Sequence, residues 1–240
     1  MLQASQWLRV RGVELASSSS LLLNPFKRPT SSELHDNAFR NARFARFLRI
    51  VDEVAAHASA VRILDLGGTL PFWQTKPELW QGRNVHITLV NMFPQASSDD
   101  RFACIEGNAC ATGLADNAFD IVHSNSVIEH VGRWREMSAM AREVRRLAPR
   151  YFIQTPNYWF PVEAHSRFPL FNMLPEPWRI RLVMTTGAGF YGKVSTMDEA
   201  MEHVENAVLL DFRRFQHLFP DAKIERERVL GFTKSLMAIR

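Results

Sequence analysis

Three short segments of the chain carry residues suited to holding a polar ligand. Asp65-Leu66-Gly67-Gly68-Thr69 joins an acid to a pair of glycines, Val90-Asn91 ends an apolar run on an amide, and His123-Ser124-Asn125 ends another on polar side chains. Glycine lets backbone approach a ligand closely, because no Cβ stands in the way. An acid beside it can accept a hydrogen bond from the ligand. An amide at the end of the next strand sits where the ribose of a nucleotide normally hydrogen-bonds. By themselves these segments support a nucleotide-like cofactor. Gly67-Gly68 alone reads equally well as a strand-to-helix turn.

The elements that must position these segments alternate between strand and helix. Val61–Leu66 is short, apolar and closed by two glycines, which predicts a buried parallel strand. Strands are expected at 85–90, 102–105, 119–123 and 151–154, and helices at 71–81 and 131–148. In the longer helix Trp134, Met137, Ala141, Val144 and Ala148 line one side. The alternation means βαβ units and a mostly parallel sheet with helices on both faces. Ligands of such sheets bind at the carboxyl ends of the strands, where all three polar segments fall. Towards the C-terminus a helix at 207–218 precedes two strands at 223–230 and 233–239. A tight Gly231-Phe232 turn should make these two antiparallel.

Two regions stand apart. Phe44, Phe47, Leu48, Val51, Val54 and Ala55 recur at helical spacing and predict a helix over 34–58, while residues 1–32 are rich in turn and breaker signals. Arg40, Arg43, Arg46 and Arg49 recur on another face of that helix. They read as a solvated basic face, or as a contact for an anionic substrate, a membrane surface or RNA. Residues 156–204 carry five prolines interleaved with aromatics such as Trp159, Phe160, Phe168 and Trp178. A stretch that long and aromatic reads as a cap over the strand ends. The chain thus divides into an N-terminal extension with a basic helix (1–58) and a main domain (59–240) with the cap inserted.

Composition excludes several classes. The chain has 240 residues, 46% hydrophobic and 22% charged, so disorder as its main state is excluded. No apolar run approaches the ~20 residues of a membrane span, and the leucines at 21–23 are too few for a secretory signal. Two cysteines, Cys104 and Cys110, cannot make a disulfide framework or a four-ligand zinc site, and they read as small core residues. A reducing cytoplasm is the default location. The net charge is +4, and residues 1–50 hold eight basic and three acidic residues, so the positive charge is concentrated there.

In combination the motifs resemble the class I S-adenosylmethionine-dependent methyltransferases, in particular the small-molecule enzymes related to the ubiquinone and menaquinone methyltransferases. Ile63-Leu64-Asp65-Leu66-Gly67-Gly68-Thr69 resembles the family's first motif. Glu106-Gly107-Asn108-Ala109 resembles the adenine-binding turn, and the segments Ile121 to Val131 and Gln154-Thr155-Pro156-Asn157 resemble strand four with its following helix and the end of strand five. The likeness covers about 61–160 well and 205–240 in outline. Thr69 and Pro71 stand where the family pattern has glycines, and Asn91 and Asn108 where it has acids.

The resemblance implies a Rossmann-like, seven-stranded sheet with a final antiparallel hairpin, and S-adenosylmethionine as methyl donor. It implies that Asp65 and Gly67 meet the amino acid end of the cofactor, Asn91 the ribose, and Asn108 and Ala109 the adenine, with Gly68, Thr69 and Met92 also among the cofactor-binding residues. Ser124 and Asn125 would line the floor beneath the sulfonium, and Phe72, Trp73 or Tyr158 could offer it an aromatic face. Methyl transfer is an in-line displacement that needs no metal, so none is expected. The acid–base candidates are His165, Glu163 and His130, because imidazole accepts a proton near neutral pH. Glu129 would face the cofactor or cap the helix, and His123 would be a core histidine. The acceptor would be a small molecule, aromatic or phosphorylated. The rival readings are a non-catalytic partner protein on the same fold and a nucleic-acid methyltransferase. Against the latter, Asn125-Ser126-Val127 lacks the Pro-Pro-aromatic continuation of the base-modifying enzymes. A nicotinamide oxidoreductase would need the spaced glycines that are missing here.

Overall fold

A computed structural model describes residues 38–93, 96–163, 165–166, 168–186 and 193–240. The expected loose start at 1–32 and the first residues of the N-terminal helix lie outside the described residues. In chain order the elements are α1 (Ala38–Ala55), β1 (Val61–Leu66), α2 (Leu70–Gln74), β2 (Val85–Asn91), β3 (Phe102–Glu106), β4 (Ile121–Asn125), α3 (Trp134–Leu147), β5 (Arg150–Pro156), α4 (Glu176–Thr186), α5 (Met197–Glu205), α6 (Phe212–Leu218), β6 (Lys223–Val229) and β7 (Phe232–Ile239).

The strands form one seven-stranded sheet in the order β3-β2-β1-β4-β5-β7-β6. The first five pair in parallel, while β7 runs antiparallel to both β5 and β6. This is the α/β arrangement the alternation predicts. β4 and β5 are central and read as nearly continuous buried runs, as strands covered on both faces must. On one face α3 buries Met137, Met140, Ala141, Val144 and Leu147, and packs with Phe215 and Leu218 of α6. Full burial of each large side chain contributes about 1.5–3 kcal/mol. The other face is covered by α1 through Phe44, Phe47, Ile50 and Val51, joined by Trp73.

Local chemistry moved several expected boundaries. The helix expected at 71–81 is two pieces, α2 and a 3-10 turn at Pro77–Trp80, each opened by a proline. The strand expected at 119–123 begins at Ile121. The helix expected from 131 is preceded by a 3-10 turn, Ile128–His130, and by Gly132 at φ 128°. α6 starts only at Phe212, where Asp211 caps it by accepting from the Arg214 amide; Leu210 instead bridges to Asn157. The hairpin turn is Leu230-Gly231, with φ of 49° and 85°, and Phe232 already pairs with Val229. Two consecutive left-handed residues suit the twist of an antiparallel pair.

The stretch 156–204 is not one loop. It carries a 3-10 turn, α4 and α5, and Phe171, Val183, Val194, Ala200 and Val204 form a small apolar cluster of their own. The basic face of α1 is also different from a simple solvated one. Arg43 is buried and donates to Glu227 at 3.1 Å, and Arg46 pairs with Glu225 at 3.4 Å, so these two arginines dock α1 on β6.

Lys234 lies beside that docking site, with its ammonium 3.5 Å from the Phe39 ring centroid. Burial, only partly offset by Glu227 and reinforced by Arg43 and Arg40, lowers its pKa to about 8. A depressed lysine disfavours the folded state while it is charged in both states. Between about 8 and the ordinary 10.5 the unfolded chain binds more protons, so stability rises with pH across that window. Urea unfolding at pH 7 and pH 9.5 should show this rise, on the order of 2 kcal/mol, and Lys234→Met should remove it.

Candidate functional site

The carboxyl ends of β1, β2 and β4 and the turn after β3 meet along one edge of the sheet. Gly67 adopts φ +74° and its amide donates to the Val90 carbonyl at 2.8 Å. A Cβ here would stand 2.6 Å from the Val127 methyls, so the turn admits glycine alone. The Gly68 carbonyl accepts from Asn91 Nδ2 at 3.2 Å, and Asn91 Oδ1 accepts from the Phe93 amide at 3.2 Å. The Gly107 amide donates to the Asn91 carbonyl at 3.1 Å, and Asn108 Oδ1 accepts from the Cys110 amide at 2.8 Å. These bonds link Gly67-Gly68 to Val90-Asn91, and Asn91 to Gly107 beside Asn108, along one rim. Met92 and Phe93 stand on it 60% and 45% exposed. Thr69 is half-buried at the start of α2 and its side chain makes no cap bond. Asn125 is half-buried at the end of β4.

Two sequence-selected residues turn away from this rim. Asp65 is buried, with Oδ1 2.8 Å from His123 Nδ1 and Oδ2 accepting from Trp73 Nε1 at 2.7 Å. His123 is the register partner of Asp65 on β4, so the two share a face. Its ring lies nearly parallel to those of Phe72 and Phe152, at interplanar angles of 15° and 7°, with Phe47 edge-on at 4.8 Å. His123 is thus a core histidine, as expected, and Asp65 is what satisfies it. A Cβ on Gly68 would fall 1.8 Å from Asp65 Oδ2, so the second glycine makes room for this carboxylate. Ser124 is also buried, and donates to the Leu66 carbonyl at 2.9 Å. Trp73 is fully buried, which keeps it from a sulfonium, while Phe72 is half-buried and packs on His123. Tyr158 donates its hydroxyl to the Asn172 carbonyl.

The acid–base candidates gather in a second cluster, one turn beyond Asn125. The rings of His130 and His165 meet edge to face at 4.8 Å. Glu163 is buried; its Oε1 lies 2.8 Å from His165 Nδ1, and its Oε2 accepts from the backbone amides of His165 and Ser166. Both carboxylate oxygens are therefore engaged, which makes Glu163 an orienting group for His165. Burial opposes the carboxylate, but the bond and charge of His165 and the two amides outweigh it, and its pKa lies below the usual range. Burial likewise opposes protonation of His165, yet the Glu163 hydrogen bond and charge raise its pKa above the ordinary imidazole value. His130 Nδ1 lies 2.9 Å from the Asn206 carbonyl. Glu129, which the sequence left open between cofactor and helix cap, bonds a side chain of β5. It is 1% exposed, accepts from Thr155 Oγ1 at 3.0 Å through Oε2, and has no hydrogen-bond partner at Oε1.

Comparison with known proteins agrees with this architecture. Residues 82–150 match the family model described as a methyltransferase domain. No curated protein matches the sequence significantly. Among solved structures, the CurJ carbon methyltransferase is similar with a TM-score of 0.55 and 9% identity, over 87% of this chain and 56% of that one. Phosphoethanolamine N-methyltransferase 2 of Haemonchus contortus, in complex with S-adenosyl-L-methionine, gives a TM-score of 0.46 at 14% identity, over 76% of this chain and 38% of that one. An S-adenosylmethionine-dependent methyltransferase of Methanosarcina mazei gives 0.46 at 12% identity, over 79% and 94%. At these identities the likeness is one of fold. The chain spans about two fifths of the length of the Haemonchus enzyme it matches. No helix among the described residues is long and apolar enough to cross a membrane.

Proposed function

We propose that this chain, whose residues 82–150 match a methyltransferase-domain model and whose fold is similar to that of a carbon methyltransferase, moves a methyl group from S-adenosylmethionine to a small-molecule acceptor. The observation that carries the reading is the hydrogen-bonded rim at the carboxyl ends of β1, β2 and β3, with Met92 and Phe93 exposed upon it. A backbone cradle beside exposed apolar side chains is what a nucleoside with a polar tail requires.

The residues present fit that cofactor in most places. The Gly67–Thr69 backbone would hold the amino acid end. Asn91 keeps one amide N–H for Gly68 and has a second to offer a ribose hydroxyl. Asn108 and Ala109 would bound the adenine, with Met92 against its face. Asn125 would line the floor. Asp65 would hold the cradle from behind, since its two oxygens serve His123 and Trp73, and Ser124 would pin β4 to β1 beneath it. The bound cofactor supplies a methyl group made electrophilic by its sulfonium. The chain has to align an acceptor in line with it, which is catalysis by positioning.

The acceptor side would be the His130–His165 cluster. Glu163 fixes the ring of His165, so that the imidazole can take a proton from the acceptor's nucleophilic atom. Trp159 and Trp178, 58% and 61% exposed on the 156–204 insertion, favour an acceptor with a ring or other apolar body. The test is incubation with methyl-labelled cofactor and a panel of phenolic, amine and phosphorylated acceptors. Label should appear in at least one ring-bearing acceptor. Cofactor binding with no transfer to any of them would instead favour a non-catalytic partner protein.

A further inference from the structure

Glu129, His130 and His165 each bring one potential metal-ligating atom into a space where all three lie within 4.8 Å of one another. They come from separate parts of the fold: the 3-10 turn after β4 supplies the first two, and the insertion after β5 supplies the third. We infer that these three residues form a binding site for a divalent transition-metal ion of the zinc class.

Three observations point the same way. Glu129 is buried, yet its Oε1 has no hydrogen-bond partner, while Oε2 is held by Thr155. A buried carboxylate oxygen without a donor is costly, and a cation is the partner that would satisfy it. Both histidines carry the support that metal-ligating imidazoles typically have. His130 Nδ1 faces the Asn206 carbonyl and His165 Nδ1 faces the Glu163 carboxylate. A carbonyl or carboxylate can only accept, so each Nδ1 is a protonated nitrogen, and in the neutral ring that metal binding selects it is Nε2 that carries the lone pair. Finally, two imidazoles and a carboxylate suit a borderline metal such as zinc or cobalt far better than magnesium or calcium.

Donors around a tetrahedral zinc stand roughly 3.3 Å apart, so these need draw in by at most about 1.5 Å, which side-chain rotation can supply. Ligation would fasten the insertion to the end of β4. With three protein donors, a further coordination position stays open to water or to an oxygen of a bound molecule. The inference does not depend on methyl transfer, since a chain without transferase activity would bind the metal equally. It does exclude His165 as base while the metal is bound, because ligation uses the same lone pair.

The test is calorimetric titration of the chelator-treated full chain with zinc. It should bind one ion per chain at or below micromolar concentration. Glu129→Gln and His165→Ala should each weaken binding at least about tenfold, and Glu163→Gln, which touches no metal, should weaken it about 10–100-fold. His57→Ala and His86→Ala, on the exposed surface, should change nothing. X-ray absorption of the zinc-loaded unaltered chain should show a two-imidazole shell, and this decides the matter even if a variant fails to fold. Absence of saturable one-to-one binding, binding that persists in folded Glu129→Gln and His165→Ala chains, or a shell without imidazole would overturn the assignment.

Discussion

Asp65→Ala is expected to lower the unfolding free energy by about 3–5 kcal/mol, because it strips a buried histidine and a buried indole N–H of their common acceptor. Both groups bond to this one carboxylate, at 2.7 and 2.8 Å. Urea unfolding followed by tryptophan fluorescence measures the loss. Gly68→Ala should cost about 2–3 kcal/mol by itself, since the new Cβ would collide with Asp65 Oδ2. In the Asp65→Ala background that collision is gone, so the double variant should be clearly more stable than the sum of the two losses implies. If Asp65→Ala instead left stability unchanged and only weakened cofactor binding, the carboxylate would belong to the cofactor site after all.

His165→Ala should lower methyl-transfer turnover by about 10²–10⁴-fold, the usual contribution of a positioned general base. The dissociation constant for S-adenosylmethionine should stay within about twofold, because the cradle lies on β1, β2 and β3. Turnover is best measured with chelator present, which separates a base from a metal ligand. An unaltered chain that is active in chelator and loses turnover on His165→Ala supports the base. One that is inactive in chelator refutes it and leaves His165 to the metal.

The sheet was legible from sequence because its signals are local. Apolar runs of strand length alternate with the helical stripe of Met137, Ala141 and Val144, and right-handed parallel crossovers leave few ways to arrange them. Boundaries slipped where a single residue decides. Asp211 as a cap delayed α6, and Leu230 in the left-handed region shifted the hairpin turn by one residue. The partner of Asp65 was not legible. Its pairing with His123 spans 58 residues and depends on strand register, and Trp73 reaches it only because α2 turns at Thr69. The role of α1 was hidden for a similar reason. Arginines at helical spacing look the same whether water or Glu225 and Glu227 of a distant strand face them. The Glu129–His130–His165 cluster was half legible, since the adjacent Glu-His pair is local and its third member lies 35 residues on.

The central claim is that the rim formed by Gly67–Thr69, Asn91 and Asn108 holds S-adenosylmethionine. Calorimetric titration of the folded chain with S-adenosylmethionine and S-adenosylhomocysteine tests it most directly, with a thermal scan alongside. The account predicts one-to-one binding in the micromolar range and a rise in melting temperature with ligand concentration, as any ligand selective for the folded state produces. Gly67→Ala, strained at φ +74° and crowding Val127, should weaken binding more than tenfold in whatever fraction stays folded. No binding at millimolar ligand to a chain that unfolds cooperatively would contradict it, and would leave a methyltransferase fold without its cofactor.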